Sequence, residues 1–353
     1  MMDETLDSSG SVDVARTMDG PDVYDCISTM LTQEQYYLCC DYLNIGRKQS
    51  AHHRMQFDRC DPIDETCRAK MTEWCFHVVD CTNLRRETVS IAMGYLDRFL
   101  CSSSLRAEQA RRNRKEYQLA AMTSLYIAVK IYEPLEMDAG LVSRLSRGLH
   151  SAAEITTLEH EMLVALSWRM CDPSPHQICN YLIELLPDEA VDVKPTLYDF
   201  CHFQTELATG DYAFVPLRRS VVAVASVLNA LEGINQQELL FNERMGFIDS
   251  IARAVDYDIC SPLVNAVRVR LLESFAKSSG CELPQVGFMP ATDSKLAASQ
   301  DAMSSSMRGE EEDGYCPDGD KYDECTESPV CVKEMSVSLE NGNMGWDNEH
   351  NSI

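Results

Sequence analysis

Sixteen cysteines and eight histidines are the residues best suited to hold a metal or act as nucleophiles in this chain. Their spacing supports neither role. No two cysteines stand C-x-x-C, and the pair His52-His53 has only Cys60 nearby, short of the four ligands a structural zinc site needs. His160, between Glu159 and Glu161, reads as a helix-surface residue. The phosphate-cradling patterns GxGxxG and GxxxxGKS/T, the metalloprotease pattern HExxH and the nucleophile elbow GxSxG are all missing. The expectation is a non-catalytic binding module with no metal and no cofactor. The cysteines fall within apolar helical patterns, so free thiols in a reducing compartment are expected rather than a disulfide framework.

Charge narrows the partners. Lys and Arg number 31 against 56 Asp and Glu in 353 residues, a formal net charge of −25. A duplex phosphate backbone would repel such a chain unless one region were locally basic, so no nucleic-acid partner is expected. The one basic cluster, Arg106, Arg111, Arg112, Arg114 and Lys115, reads as a solvated loop before a buried helix, with nuclear import as the second reading. The longest apolar stretches, 119–129 and 221–231, are interrupted by polar residues and fall short of the roughly 20 residues that span a bilayer. The acidic start MMDETLDSSG does not resemble a secretory leader. A soluble chain with no membrane partner follows.

The elements that must position any site are helices. Residues 1–21 lack periodicity and read as a flexible arm. From residue 21 to 43 a helical pattern runs through Val23, Ile27, Met30, Leu31, Tyr37, Leu38 and Tyr42, followed by a polar stretch over 44–59. Between 61 and 168 five helices are expected, near 64–79, 87–100, 117–132, 139–145 and 153–168. The third carries small residues Ala120, Ser124 and Ala128 at spacing four, the mark of a central helix that neighbours approach closely. Pro134 ends it. After Cys171-Asp172-Pro173-Ser174-Pro175, where Asp172 and Ser174 are candidate caps, five more helices are expected near 175–186, 194–208, 217–232, 236–254 and 262–276. From 278 periodicity stops, and acidic residues outnumber basic ones 16 to 4. That tail cannot bury enough apolar surface to offset its ordering entropy.

The string CRAKMTEWCFHVVDCTNLRRETVSIAMGYLDRFL at 67–100, then YQLAAMTSLYIAVKIYEP and TTLEHEMLVALSW, resembles the cyclin box in order, spacing and helical phase. The matching elements are Arg68 and Trp74 on helix one, Glu87-Thr88, Asp97-Arg98-Phe99-Leu100, Gln118-Leu119, Lys130 with Glu133, and Leu158-Glu159. They cover residues 68–168. The later helices resemble a second cyclin fold in number and in fragments such as DYAFVPLRRSVVAVASVLNAL. The resemblance implies an all-α chain of two consecutive five-helix cyclin folds. Its expected parts are a flexible arm (1–21), an N-terminal cyclin domain with its leading helix (22–171), a C-terminal cyclin fold (172–277) and a disordered acidic tail (278–353).

It further implies a regulatory subunit that binds and activates a cyclin-dependent serine/threonine kinase, in the nucleus and cytoplasm. Lys130 and Glu159 correspond to the family's kinase-binding pair. Arg68 and Asp97 correspond to its buried structural ion pair. Cys67, Met71, Trp74, Arg114 and Gln118 correspond to the groove that docks Arg-x-Leu motifs of kinase substrates and inhibitors. Cys67 stands where methionine is usual and Lys70 where an aliphatic residue is usual, which makes that groove shallower and more cationic. The acidic tail has the character of a degradation signal, and Ser328-Pro329 is a minimal proline-directed phosphorylation site. A short arm without an RxxL motif and an acidic tail point to a G1/S, D-like subclass, although Leu38-Cys39-Cys40-Asp41-Tyr42 departs from the Leu-x-Cys-x-Glu motif of that subclass. The alternatives are a transcription-associated cyclin, a transcription-factor core domain of the same fold, and a kinase-free helical scaffold.

Overall fold

The computed structural model describes residues 20–44, 62–135 and 137–279. Residues 1–19 of the arm expected over 1–21, most of the polar stretch, Ser328 and the acidic tail lie outside the described residues, and residues 20 and 21 open α1. Within them the chain is all-helical. Twelve α-helices can be followed: α1 (Gly20–Glu34), α2 (Glu65–Cys81), α3 (Glu87–Cys101), α4 (Leu105–Arg112), α5 (Arg114–Tyr132), α6 (Ala139–Leu145), α7 (Ala152–Ala165), α8 (Pro175–Ile183), α9 (Lys194–Gly210), α10 (Arg219–Gly233), α11 (Phe241–Ala254) and α12 (Pro262–Ser279). No helix among the described residues is long and apolar enough to cross a membrane.

Two cores organise them, each around one helix buried on every side. In the first, α5 is buried continuously from Leu119 to Val129, and α3 is its most extensive neighbour. Ala120, Ser124 and Ala128 are fully covered, and the Ser124 hydroxyl donates to the Ala120 carbonyl at 2.8 Å, so the small stripe carries no unmet hydroxyl. In the second core α10 plays the same part, buried from Ser220 to Leu231 and packed by α8, α9 and α12. A helix with no polar face has nowhere to go but the centre. Covering a single Leu, Ile or Val side chain contributes about 1.5–3 kcal/mol, so the faces packed around these two helices add substantially to stability.

Local chemistry sets the helix starts. Asp64, Ser104, Asn113, Asp138, Ser151 and Ser174 each accept a backbone amide of the following first turn. Ser151 with Glu154 and Ser174 with Gln177 form reciprocal capping boxes. Asp172, expected as a cap, does something else: its carboxylate pairs with Arg219 at 2.6 Å and joins the linker to α10. Gly94 on α3 makes room for that pair, since a Cβ there would meet the Arg219 guanidinium at 3.2 Å.

Two further expectations change. The basic stretch expected as a loop contains a helix, α4, because Ser104 caps it and Ala107 and Ala110 bury one face. It adds to the five helices expected of the first bundle. The leading helix α1, grouped with the N-terminal domain on sequence order, packs Val23, Ile27 and Leu31 into the second core instead. Its last residue, Glu34, is fully buried and accepts from Arg218 Nε at 2.8 Å, Ser220 N at 2.9 Å and Ser220 Oγ at 2.7 Å. A carboxylate at the start of α10 meets free amides and the positive end of the helix dipole. The chain then crosses back, and Tyr42 and Leu43 join the first core.

Candidate functional site

Lys130 lies in the last turn of α5 and Glu159 in the middle of α7. Three features bring them together. Pro134 stops α5 just beyond Lys130, the Ser151/Glu154 box sets where α7 begins, and Ile155, Leu158 and Met162 bury the α7 face that packs on the core. Glu159, next to Leu158, is left at the margin. The Lys130 Nζ donates to Glu159 Oε1 at 2.5 Å and lies 4.8 Å from the Tyr126 ring centroid. Their side chains are 44% and 13% exposed. The hydrogen bond to Glu159 raises the lysine pKa, with burial acting in the opposite sense. The pair is therefore preformed and open to solvent on the lysine side.

Apolar surface accompanies it. Ile131 and Leu135 follow Lys130 in the chain and are exposed, as is Leu149 before α7. Beyond the end of α7, Ser167 and Trp168 take left-handed backbone conformations with φ of +54° and +58°. The Trp168 amide bonds the Leu163 carbonyl at 2.9 Å, which closes the helix end. A left-handed tryptophan is costly, and this one is 63% exposed. Arg169 beside it stacks on exposed Tyr36, and Leu38 and Val164 are exposed as well. In the sequence Trp168 is simply the last residue of the helix expected near 153–168. No periodicity reveals an αL turn without glycine, so the only available signal was a bulky aromatic just beyond the last core position, Leu166.

Arg68 and Asp97 form a different kind of pair. Arg68 Nε and Nη2 meet Asp97 Oδ1 and Oδ2 at 3.0 and 2.8 Å, with side chains 4% and 7% exposed. The third guanidinium nitrogen donates to the Thr209 carbonyl at 2.6 Å, and the Tyr42 hydroxyl donates to Asp97 Oδ1 at 2.9 Å. Burial opposes the arginine charge, but the Asp97 carboxylate outweighs it and the Arg68 pKa is raised. The resemblance implied a link between helices one and two. The geometry adds a link to α9 of the second bundle, through Thr209, and to the crossing segment, through Tyr42. A buried tyrosine requires a partner for its hydroxyl, the one sequence-level hint for Tyr42.

Cys67, Met71 and Trp74 share one face of α2, and all three are buried in the first core. Lys70 is exposed on the same helix. Arg114 is half-exposed with a nitrogen 3.6 Å from Asp64, and Gln118 is half-buried. The basic cluster is largely neutralised: Arg106 pairs with Glu116 and Glu161, Arg112 with Glu108, and Arg111 donates to the Leu100 carbonyl. Among the described residues no group of three His, Cys, Asp or Glu side chains is arranged to hold a metal. The site presents charge and apolar area, which bind.

Residues 28–171 match the family described as cyclin, N-terminal domain. Among curated proteins, mouse G1/S-specific cyclin-D1 is 25% identical over 173 residues, covering 49% of this chain and 56% of the relative. G2/mitotic-specific cyclin-2 of Antirrhinum majus is 28% identical over 185 residues, covering 52% and 39%. The chain spans about half the length of the curated relatives it matches. Among solved structures, a viral cyclin from herpesvirus saimiri is 17% identical with a TM-score of 0.42, covering 60% of this chain and 97% of that one. A CAK complex from Chaetomium thermophilum bound to ATP-gamma-S is 12% identical with a TM-score of 0.41, covering 74% and 80%.

Proposed function

This chain belongs to the cyclin family through its domain at residues 28–171, and on that premise we propose that it is the non-catalytic regulatory subunit of a cyclin-dependent serine/threonine protein kinase. The observation that carries the reading is the Lys130–Glu159 pair, preformed at 2.5 Å on the rim of a rigid bundle and flanked by exposed Ile131, Leu135 and Leu149. A protein kinase needs its β3 lysine paired with the αC glutamate before nucleotide and metal are correctly placed. A rigid surface complementary to the inward αC position shifts the kinase toward that state without touching the transferred phosphate. Lys130 and Glu159 offer one donor and one acceptor to the kinase backbone near αC, and the apolar residues around them supply the dry contact area. Trp168, Tyr36 and Leu38 are exposed as well, and a left-handed, exposed tryptophan is better accounted for as a contact residue than as a packing residue.

The finer parts of the reading are a G1/S, D-like role, a nuclear and cytoplasmic location, and substrate docking through the α2 face. The first draws on the cyclin-D1 match and the acidic tail, and the match to a mitotic cyclin weighs against it. Docking of Arg-x-Leu motifs needs Trp74 and Met71 to be reachable, so it requires the α2 face to open.

The test is purification of the full-length chain with its bound proteins, followed by a phosphorylation assay on the complex. A kinase subunit in stoichiometric amount, with activity that depends on this chain, is expected. Lys130→Ala with Glu159→Ala should lose the kinase while helical content is kept. Normal kinase binding by the folded double variant would remove the pair from the interface. Such an interface should bury on the order of 2,000 Å².

A further inference from the structure

Three cysteines meet where the crossing segment passes the end of α3. Cys40 lies between the turn Gln35–Tyr37 and Tyr42, and Cys101 is the last residue of α3. The Cys40 amide donates to Cys101 Sγ at 3.2 Å, and the Cys101 thiol donates to the Cys40 carbonyl at 3.5 Å, across 61 positions of sequence. The neighbouring Cys39 thiol donates to the Tyr37 carbonyl at 3.8 Å. Access separates the three: Cys40 is exposed, Cys101 half-buried and Cys39 buried. We infer that Cys40 and Cys101 form an oxidative modification site, at which a peroxide converts the two thiols to a disulfide that fastens the crossing segment to the first bundle.

The chemistry balances with hydrogen peroxide as the oxidant. The Cys40 sulfur attacks one peroxide oxygen, the O–O bond breaks, and the displaced hydroxide leaves as water with the thiol proton. Cys40 is then a sulfenic acid, oxidised by two electrons. The Cys101 sulfur displaces that oxygen: an S–S bond forms, the S–O bond breaks, and the Cys101 proton leaves with the hydroxide as a second water. Two thiols and one peroxide become one disulfide and two waters.

The order of attack follows from the surroundings. Cys40 is the thiol a dissolved oxidant reaches first. The Cys39 thiol nearby, and then burial, raise the Cys101 pKa, so this sulfur keeps its proton and serves as the resolving partner. A sulfur already in contact with its partner's own amide needs a side-chain rotation, rather than a backbone shift, to come within bonding reach. Cys179 and Cys201 share the second core, but both are buried and lack an exposed member to begin the reaction. The consequence is mechanical. Residues 38–41 carry the chain from α1 on the second core to Tyr42 on the first, so a bridge there makes the crossing permanent. The bridge is independent of the kinase reading and stands if that reading falls.

The test uses the reduced full-length chain and one equivalent of hydrogen peroxide, with peptide mapping under non-reducing conditions. The expected product is a Cys40–Cys101 linked peptide lighter by two hydrogens, reversed by dithiothreitol. It should be accompanied by a rise in Tm of about 5 °C from closure of the long unfolded loop. Cys39→Ser should keep the bridge. Cys40→Ser, at an exposed position, and Cys101→Ser should each abolish it, and the latter should leave a Cys40 sulfenic acid that dimedone traps. Pairing of Cys40 with Cys39, or an unmodified Cys40 under conditions that oxidise exposed Cys171 and Cys260, overturns the proposal.

Discussion

The two ion pairs Arg68–Asp97 and Lys130–Glu159 look alike on paper, each a cation and a carboxylate about 29 positions apart, yet their surroundings are opposite. The first is almost sealed, and every group of it has further partners: Thr209 from the second bundle on one side, Tyr42 from the crossing segment on the other. The second has one hydrogen bond, a neighbouring ring and a lysine almost half in water. Taking two charges out of solvent is costly, so a sealed pair holds only while all its partners stay in place. An open pair carries little of the fold and remains available to a second molecule. Burial, rather than residue type, separates a sealed pair from one left open to solvent.

The sharpest way to break this comparison is Arg68→Ala. It strands the Asp97 carboxylate in the interior and should cost about 3–5 kcal/mol, read as a lowered urea midpoint. A loss below about 1 kcal/mol would mean that water reaches the site and the distinction fails.

The next effect comes from acid. His176 and His202 stack at 3.6 Å between centroids at the junction of α8 and α9, with Asn180, Glu87, Asp199 and Arg85 around them. Burial lowers both histidine pKa values from 6.5 to about 4. Folded values below unfolded ones mean that the unfolded chain takes up protons first, so their contribution is full above pH 6.5 and is lost as pH falls toward 4. Asp172 works against this: burial raises its pKa to about 6, against the pull of Arg219, so it favours the fold more as pH falls from 6 toward 3.8. The two histidines outweigh the one aspartate, and a net loss of roughly 3 kcal/mol between pH 7 and 4.5 is expected from denaturant melts. His176→Gln with His202→Gln should flatten that limb; an unchanged slope would show that other groups set it.

Tyr42→Phe sharpens the comparison from inside the sealed pair. It removes one charge-assisted bond but leaves both charges paired, so a loss of about 1.5–3 kcal/mol is expected by thermal melting. The smallest effect on stability belongs to the open pair. Lys130→Ala with Glu159→Ala should change stability by less than about 1 kcal/mol, while kinase co-purification is lost. A large stability loss there would make Lys130–Glu159 a second structural pair.

Much of this was legible in the residues. Most helices of both groups, the central position of α5 and the Ser174 cap follow from spacing and end chemistry within a few turns. Lys130 with Glu159 and Arg68 with Asp97 also come together as the resemblance implied. What was not legible lies further apart. The short helix α4 was hidden because its mean composition is charged, and only the two alanines facing the core betray it. Trp168 was hidden because an αL helix end without glycine has no pattern.

By itself, the sequence determined most of the helical segments, roughly where they begin, and which helix of the first group must be central. These are properties of hydrogen bonds and side-chain periodicity within a few residues. Tertiary structure decided the rest: that α1 belongs to the second core, that Arg68 reaches Thr209, that Asp172 pairs with Arg219 instead of capping, and that Cys40 meets Cys101. Each depends on which apolar faces come together across the chain. That choice is made by the total area buried, and no local pattern records it.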